Sequence, residues 1–263
     1  MIGWPIFNLD LSILNSSSAS TTGTGGNPVI ALQQAVKGQV RGIADTAKQP
    51  EVQRDIAAFR KALASAADPK ALLANPIARR VLMTANGLGD QTDYTALATK
   101  ALLSDPTNVK SLASTLTDTR WKSAATTLNF FKNGLTALRD PKVLDTMVNA
   151  YAEIAWRKSL DAQTPGLSDA LAFRASAATA KNMDDVLGNA TLRKVVTGAL
   201  GIPQEIALQP LDTQERAISS KLDMKRLQDP KYVDKLAQRY LLAQADKASQ
   251  TSQANQTGQS LLI

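Results

Sequence analysis

The side chains that carry most chemistry near neutral pH are missing from this chain: its 263 residues include no histidine and no cysteine. That removes the common general base, the thiolate nucleophile and the usual zinc and iron–sulfur ligands. A Ser-His-Asp triad, a zinc hydrolase and a thiol enzyme are all excluded. Carboxylate chemistry remains, since a glycosidase needs only two acids, yet no pair is set apart by its spacing. Asp184-Asp185 could touch a cation, but two adjacent acids without further oxygen ligands suit a helix start better. Gly23-Thr24-Gly25-Gly26 lacks the preceding strand and the following Lys-Ser/Thr of a phosphate loop, and reads as a linker. Gly198-Ala199-Leu200-Gly201-Ile202-Pro203 reads as a helix end, with Gly at the cap and Pro just beyond. Trp121 and Trp156 have apolar neighbours at helical spacing and read as core side chains rather than binding platforms. No catalytic, cofactor-binding or metal residue is nominated, and the expectation is a non-enzymatic protein that uses no cofactor.

Composition points the same way. Hydrophobic residues make up 44% of the chain but aromatic ones only 5%, which suits helices packed through alanine and leucine rather than a sandwich or barrel. The formal charge is +7 and the pI near 9.6. Lys and Arg are interleaved with acids, and the densest basic groups are pairs: Arg60-Lys61, Arg79-Arg80, Arg157-Lys158, Arg193-Lys194 and Lys225-Arg226. A solvated face is the reading preferred over a nucleic-acid surface. No apolar run reaches the roughly 18–20 residues of a membrane span. The start, Met1-Ile2-Gly3-Trp4-Pro5-Ile6-Phe7, lacks the basic and continuous apolar regions of a secretory signal.

The elements that would position any site are helical. Four Asp-Pro steps, Asp68-Pro69, Asp105-Pro106, Asp140-Pro141 and Asp229-Pro230, each precede helical periodicity. Asp can cap a free helical N–H, and Pro is tolerated at the first helical position because its missing N–H would be unpaired there anyway. Apolar residues recur at helical spacing from Val29 onward, including a stripe of Trp121, Ala124, Ala125, Leu128 and Phe131. The expected fold is an all-α, multi-helix bundle of nine to twelve helices. Its expected divisions are a flexible segment over 1–28, a helical region with a first repeat over 29–180, a second repeat over 181–247 packed on the first, and a disordered tail over 248–263. The first segment holds a polar Ser/Thr/Gly run behind an apolar patch from Ile2 to Leu14. That patch could dock on the core of this chain, or serve export or a partner.

The bundle reads as two related sub-units from an internal duplication. Leu73–Leu82 matches Leu187–Val196, and Ala85-Asn86-Gly87-Leu88 matches Ala199-Leu200-Gly201-Ile202. Leu116–Trp121 aligns with Leu227–Tyr232. This pairing predicts that Trp121 and Tyr232 occupy equivalent, mainly buried positions.

A family resemblance adds a setting. Glu153, Leu167-Ser168-Asp169-Ala170-Leu171-Ala172-Phe173-Arg174, Ala199-Leu200-Gly201-Ile202-Pro203, Gln214 and Leu227-Gln228-Asp229-Pro230 resemble an uncharacterised alphaproteobacterial family, a domain of unknown function. Leu72-Leu73, the helix end from Arg79 to Gly89 and Leu116–Trp121 fit it too, so the resemblance spans about residues 50–245. Genes of that family sit among flagellar assembly genes. The resemblance therefore implies a flagellum-associated structural or assembly protein whose partners are other flagellar proteins. It implies an exported or periplasmic place, with the flagellar type III route suiting the polar N-terminal segment and the cytoplasm left open. No small-molecule substrate is implied. The alternative is a cytoplasmic regulator that binds nucleic acid or an anionic partner through basic helix faces.

Overall fold

The computed structural model describes residues 26–260, so Gly23–Gly25 and the apolar patch from Ile2 to Leu14 lie outside the described residues. Among those described there are helices and turns and no strand. The protein is an all-α bundle.

The helices are α1 (Pro28–Ala47), α2 (Pro50–Ser65), α3 (Pro69–Ala74), α4 (Pro76–Ala85), α5 (Thr95–Leu102), α6 (Leu112–Thr115), α7 (Arg120–Leu128) and α8 (Phe130–Asn133). There follow α9 (Pro141–Leu160), α10 (Leu167–Ser176), α11 (Met183–Leu187), α12 (Ala190–Ala199), α13 (Leu211–Ser219) and α14 (Pro230–Ser260). Fourteen segments exceed the nine to twelve expected, because α6 and α8 are single turns. Side-chain caps set many of the starts. Asn27, Asp68, Asn75 and Asp140 each accept a bond from a backbone N–H of the first turn, and each is followed by Pro at the first helical position. Asp229 does the same for α14, through Lys231 N at 2.9 Å. Asp105-Pro106 behaves differently. Its carboxylate holds Thr107 N in a turn, and the helix begins only at Leu112.

Two buried clusters form. One gathers α2 to α5, α7, α8 and the first half of α9, around Phe59, Leu82 and Trp121. The other gathers α10 to α14 around Phe173, Val196 and Tyr240. The expected boundary at 181 falls inside the second cluster, since α10 supplies Leu167, Ala170, Leu171 and Phe173 to it. Two long helices belong to both clusters. Leu32 and Ala35 of α1 lie in the second, while Ile43 and Ala47 pack on the first. α9 runs the other way: Met147, Val148 and Tyr151 lie in the first and Trp156 in the second. Gln39 of α1 donates to Glu153 of α9 at 3.1 Å near the crossover.

Three expectations need correction. Phe131 is 60% exposed, whereas Phe130 is buried. Asn129 adopts a left-handed backbone (φ +46°) that ends α7, so the chain restarts in a new register and turns the next ring inward. The tail expected to be disordered from 248 is helical to Ser260. Its polar composition is compatible with helix because Ala and Gln are helix formers and no Pro interrupts them. Tyr232 is half-buried, unlike the buried Trp121, and Arg226 stacks over its ring at 4.2 Å.

Candidate interaction surface

Residues singled out in the sequence take structural places. Asp184 and Asp185 form the first turn of α11, where Asp185 closes a capping box with Asn182 and accepts Lys181 N at 2.8 Å. Among the described residues no group of three or more acids could hold a metal ion. Trp121 and Trp156 are buried. Gly198 faces the Tyr240 ring so closely that a Cβ would meet it at 2.7 Å, and Gly201 ends α12 with φ +63°.

Most members of the basic pairs have a partner within the chain, although the Arg60, Arg80 and Lys194 side chains stay about half exposed. Arg60 pairs with Asp145 at 2.9 Å, and Arg80 with Asp55. Arg79 and Arg193 donate to the carbonyls of Leu73 and Leu187, at 2.9 and 2.7 Å. Lys194 pairs with Asp169 at 2.6 Å, and the buried Arg157 pairs with Glu153. Arg226 covers Tyr232. Each such contact gives the cation an internal partner that an external phosphate would have to displace, a weak competitor where the pair is exposed.

Two carboxylates organise the helix packing, and sequence reasoning missed both. Asp55 of α2 accepts the Tyr151 hydroxyl of α9 and pairs with Arg80 of α4. Asp169 of α10 accepts the Tyr240 hydroxyl of α14 at 2.9 Å and pairs with Lys194 of α12. Burial, with the nearby Asp55, pushes the Tyr151 phenol up to about 12. Burial and Asp169 push Tyr240 up as well. In both places a neutral phenol donates to a carboxylate and ties three helices together.

Two loops stand out from this rigid frame. The first follows Gly87 (φ +76°), where Leu88 N bonds Met83 O at 2.7 Å in a glycine-capped helix end. Arg120 clamps it, donating to Gly87 O at 2.7 Å and to both oxygens of Asp90, at 2.8 and 2.9 Å. Burial works against the Arg120 charge, but Asp118 and Asp90 outweigh it and hold the guanidinium protonated. Where this loop enters α5, Tyr94 is 59% exposed. The second loop follows Gly201, where Ile202 N bonds Thr197 O at 2.9 Å. Beneath it the buried Gln214 donates to Gln209 O at 2.7 Å and to Ala207 O at 3.4 Å. At its tip Leu208 is 86% exposed, beside Leu211 at 55%. The equal spacing of seven residues between each glycine and its exposed apolar residue was the signal available in the sequence.

Two shallow grooves lie on the surface of the described residues. One, of about 250 Å³, lies between α1 and the α9–α10 junction, lined by Ala31, Ala35, Trp156, Leu160 and Leu167. The other, of about 330 Å³, lies beside the second loop, lined by Arg193, Lys194, Thr197, Ile206 and Ala207. Among the described residues no helix is long and apolar enough to cross a membrane.

Residues 85–233 match the model of a family described as a protein of unknown function, DUF1217. The fold resembles the crystal structure of a structural-genomics target from Agrobacterium tumefaciens. The TM-score is 0.70, with 22% identity over 85% of this chain and 96% of that one. No curated protein matches the chain.

Proposed function

We propose, from the premise that this chain belongs to the DUF1217 family, that it is a non-enzymatic, flagellum-associated structural or assembly protein that acts through helix-mediated protein contacts. The flagellar setting rests on the sequence resemblance described above. The contact role rests on one observation: large apolar side chains, Tyr94 and Leu208, are held outward on loops anchored from beneath by Arg120 and Gln214. A pre-ordered loop loses little entropy on binding, which suits an exposed apolar side chain on it to a protein contact. The part-buried bonds of Arg79 and Arg193 to backbone carbonyls, and the interleaving of the remaining basic residues with acids, favour this reading over a nucleic-acid surface.

A tagged full-length chain, followed through cell fractionation, tests the proposal. It should appear with basal bodies, hooks and filaments or in the medium, and its deletion should impair motility. A chain found wholly in the cytoplasm with motility intact would overturn the flagellar role. Retention on DNA that falls steeply with salt would revive the nucleic-acid alternative.

A further inference from the structure

We propose that the groove between α1 and the α9–α10 junction binds the apolar N-terminal patch of this same chain, Ile2 to Leu14, which turns back over the start of α1 and lies in the groove as a strap. The inference is independent of the flagellar reading.

The lining of the groove suits an apolar segment. Ala31, Ala35 and Gly38 form its α1 side, and Trp156, Leu160 and Leu167 its α9 and α10 side. Its volume, about 250 Å³, gives room for aliphatic side chains. Gln34, Gln163 and Thr164 add amides and a hydroxyl, which an incoming backbone needs for its own polar groups. Ile30, 44% exposed, lies one turn before Gln34 on the same face and extends the apolar surface toward the start of α1.

Gly38 marks the groove as a place for something else. Glycine weakens a helix interior relative to alanine, and α1 carries two in its middle, Gly38 and Gly42. Gly42 is explained by the Trp156 ring, which occupies the space of its missing side chain. Gly38 is not explained within the described residues, where a Cβ would meet no atom within 4 Å. Its effect is to hold open the wall of the groove.

The choice of occupant follows from the connection. The described residues begin at Gly26, and the groove starts at Ala31, on the first turn of α1. Gly38, at its far end, is only about 15 Å along the helix from Pro28 at the ordinary helical rise. The polar run from Asn15 to Gly25 joins the patch to α1 and can span up to about 36 Å, more than enough for the patch to return along the groove. A short tether of this kind sets an effective concentration of about a millimolar. An apolar segment held at that concentration fills an adjoining apolar groove ahead of any dilute partner. Ile6, Phe7, Leu9, Leu11, Ile13 and Leu14 supply the side chains to do so.

Paramagnetic broadening tests this on the full chain. The sequence has no cysteine, so a nitroxide on Ser12→Cys labels one place, and isotope-labelled alanine and leucine methyls report what lies near it. The methyls of Ala31, Ala35, Leu160 and Leu167 should be the most strongly broadened. Two further changes act on opposite sides of the contact. Leu9→Asp with Leu11→Asp makes the patch polar, and Gly38→Leu fills the groove from a position with open space around it. Each should restore the Leu160 and Leu167 signals. Broadening that is absent, spread evenly over the surface or centred elsewhere would overturn the inference, as would broadening at Leu160 and Leu167 that survives both changes. In a mixture of nitroxide-bearing chains without isotopes and isotope-labelled chains without nitroxide, the groove methyls should stay sharp. Broadening there would assign the groove to the patch of a second copy instead.

Discussion

The Trp156 indole lies directly against Gly42, so close that a Cβ built on the glycine would sit 2.2 Å from Nε1. This is where α1 and α9 cross, and only a residue without a side chain lets them approach. Gly42→Ala should therefore cost about 1–3 kcal/mol by overpacking. Trp156→Ala should cost about 3–5 kcal/mol as a large-to-small core change. In the double variant the alanine at 42 should add almost nothing further. Thermal denaturation of the three variants checks this, and additive losses would mean that the two residues do not meet.

Asp55 and Asp169 should behave alike. Each Asp→Asn change leaves a cation and a phenol with a weakened acceptor, at about 1–3 kcal/mol per site. Arg80→Lys should be tolerated, because lysine already fills the corresponding place at 194. Chemical denaturation of Asp55→Asn, Asp169→Asn and Arg80→Lys compares them. A loss in Arg80→Lys as large as that in Asp55→Asn would show that the first cluster needs the guanidinium itself.

The tyrosine clusters make stability sensitive to alkali. Tyr151 is raised from 10.0 to about 12, so the folded state holds its proton more tightly than the unfolded chain does. The resulting stability is complete below about pH 10 and fades as pH rises toward 12. An ultraviolet titration of the folded chain should show a phenolate step delayed to about pH 12. Asp55→Asn should bring that step down in pH, although burial alone keeps it above the ordinary value.

Trp121 is 2% exposed within the first core, and Trp121→Ala should cost about 3–5 kcal/mol. Tyr232→Ala should cost less, since that ring packs only partly buried against the second core and is covered by Arg226. Melting temperatures of the pair decide the matter. Equal losses would restore the equivalence first expected between them.

Helix content was legible because its causes are local. Asx caps followed by Pro at Asp68, Asn75, Asp140 and Asp229 mark helix starts without reference to anything distant. The register after Asn129 was not legible, since a left-handed residue inside an apolar stripe gives no signal in a periodicity of 3.6. The Asp55 and Asp169 clusters were hidden for another reason. Their members lie on three helices far apart in sequence, and each alone looks like an ordinary surface charge. The exposed side chains of Tyr94 and Leu208 were hidden too, because an exposed apolar residue and a core residue are spelled the same way.

The crossing of α1 and α9 has a mechanical consequence. Each helix is seated in both cores, running in opposite senses, so neither core can open without drawing half a helix out of the other. Two clusters that could otherwise have melted separately are stitched into one cooperative block. Single-tryptophan reporters at 121 and 156 should register the same transition midpoint, and calorimetric and van't Hoff enthalpies should agree. A pull on either core would be shared by both, as a load is shared by two threads sewn in opposite directions through the same two layers.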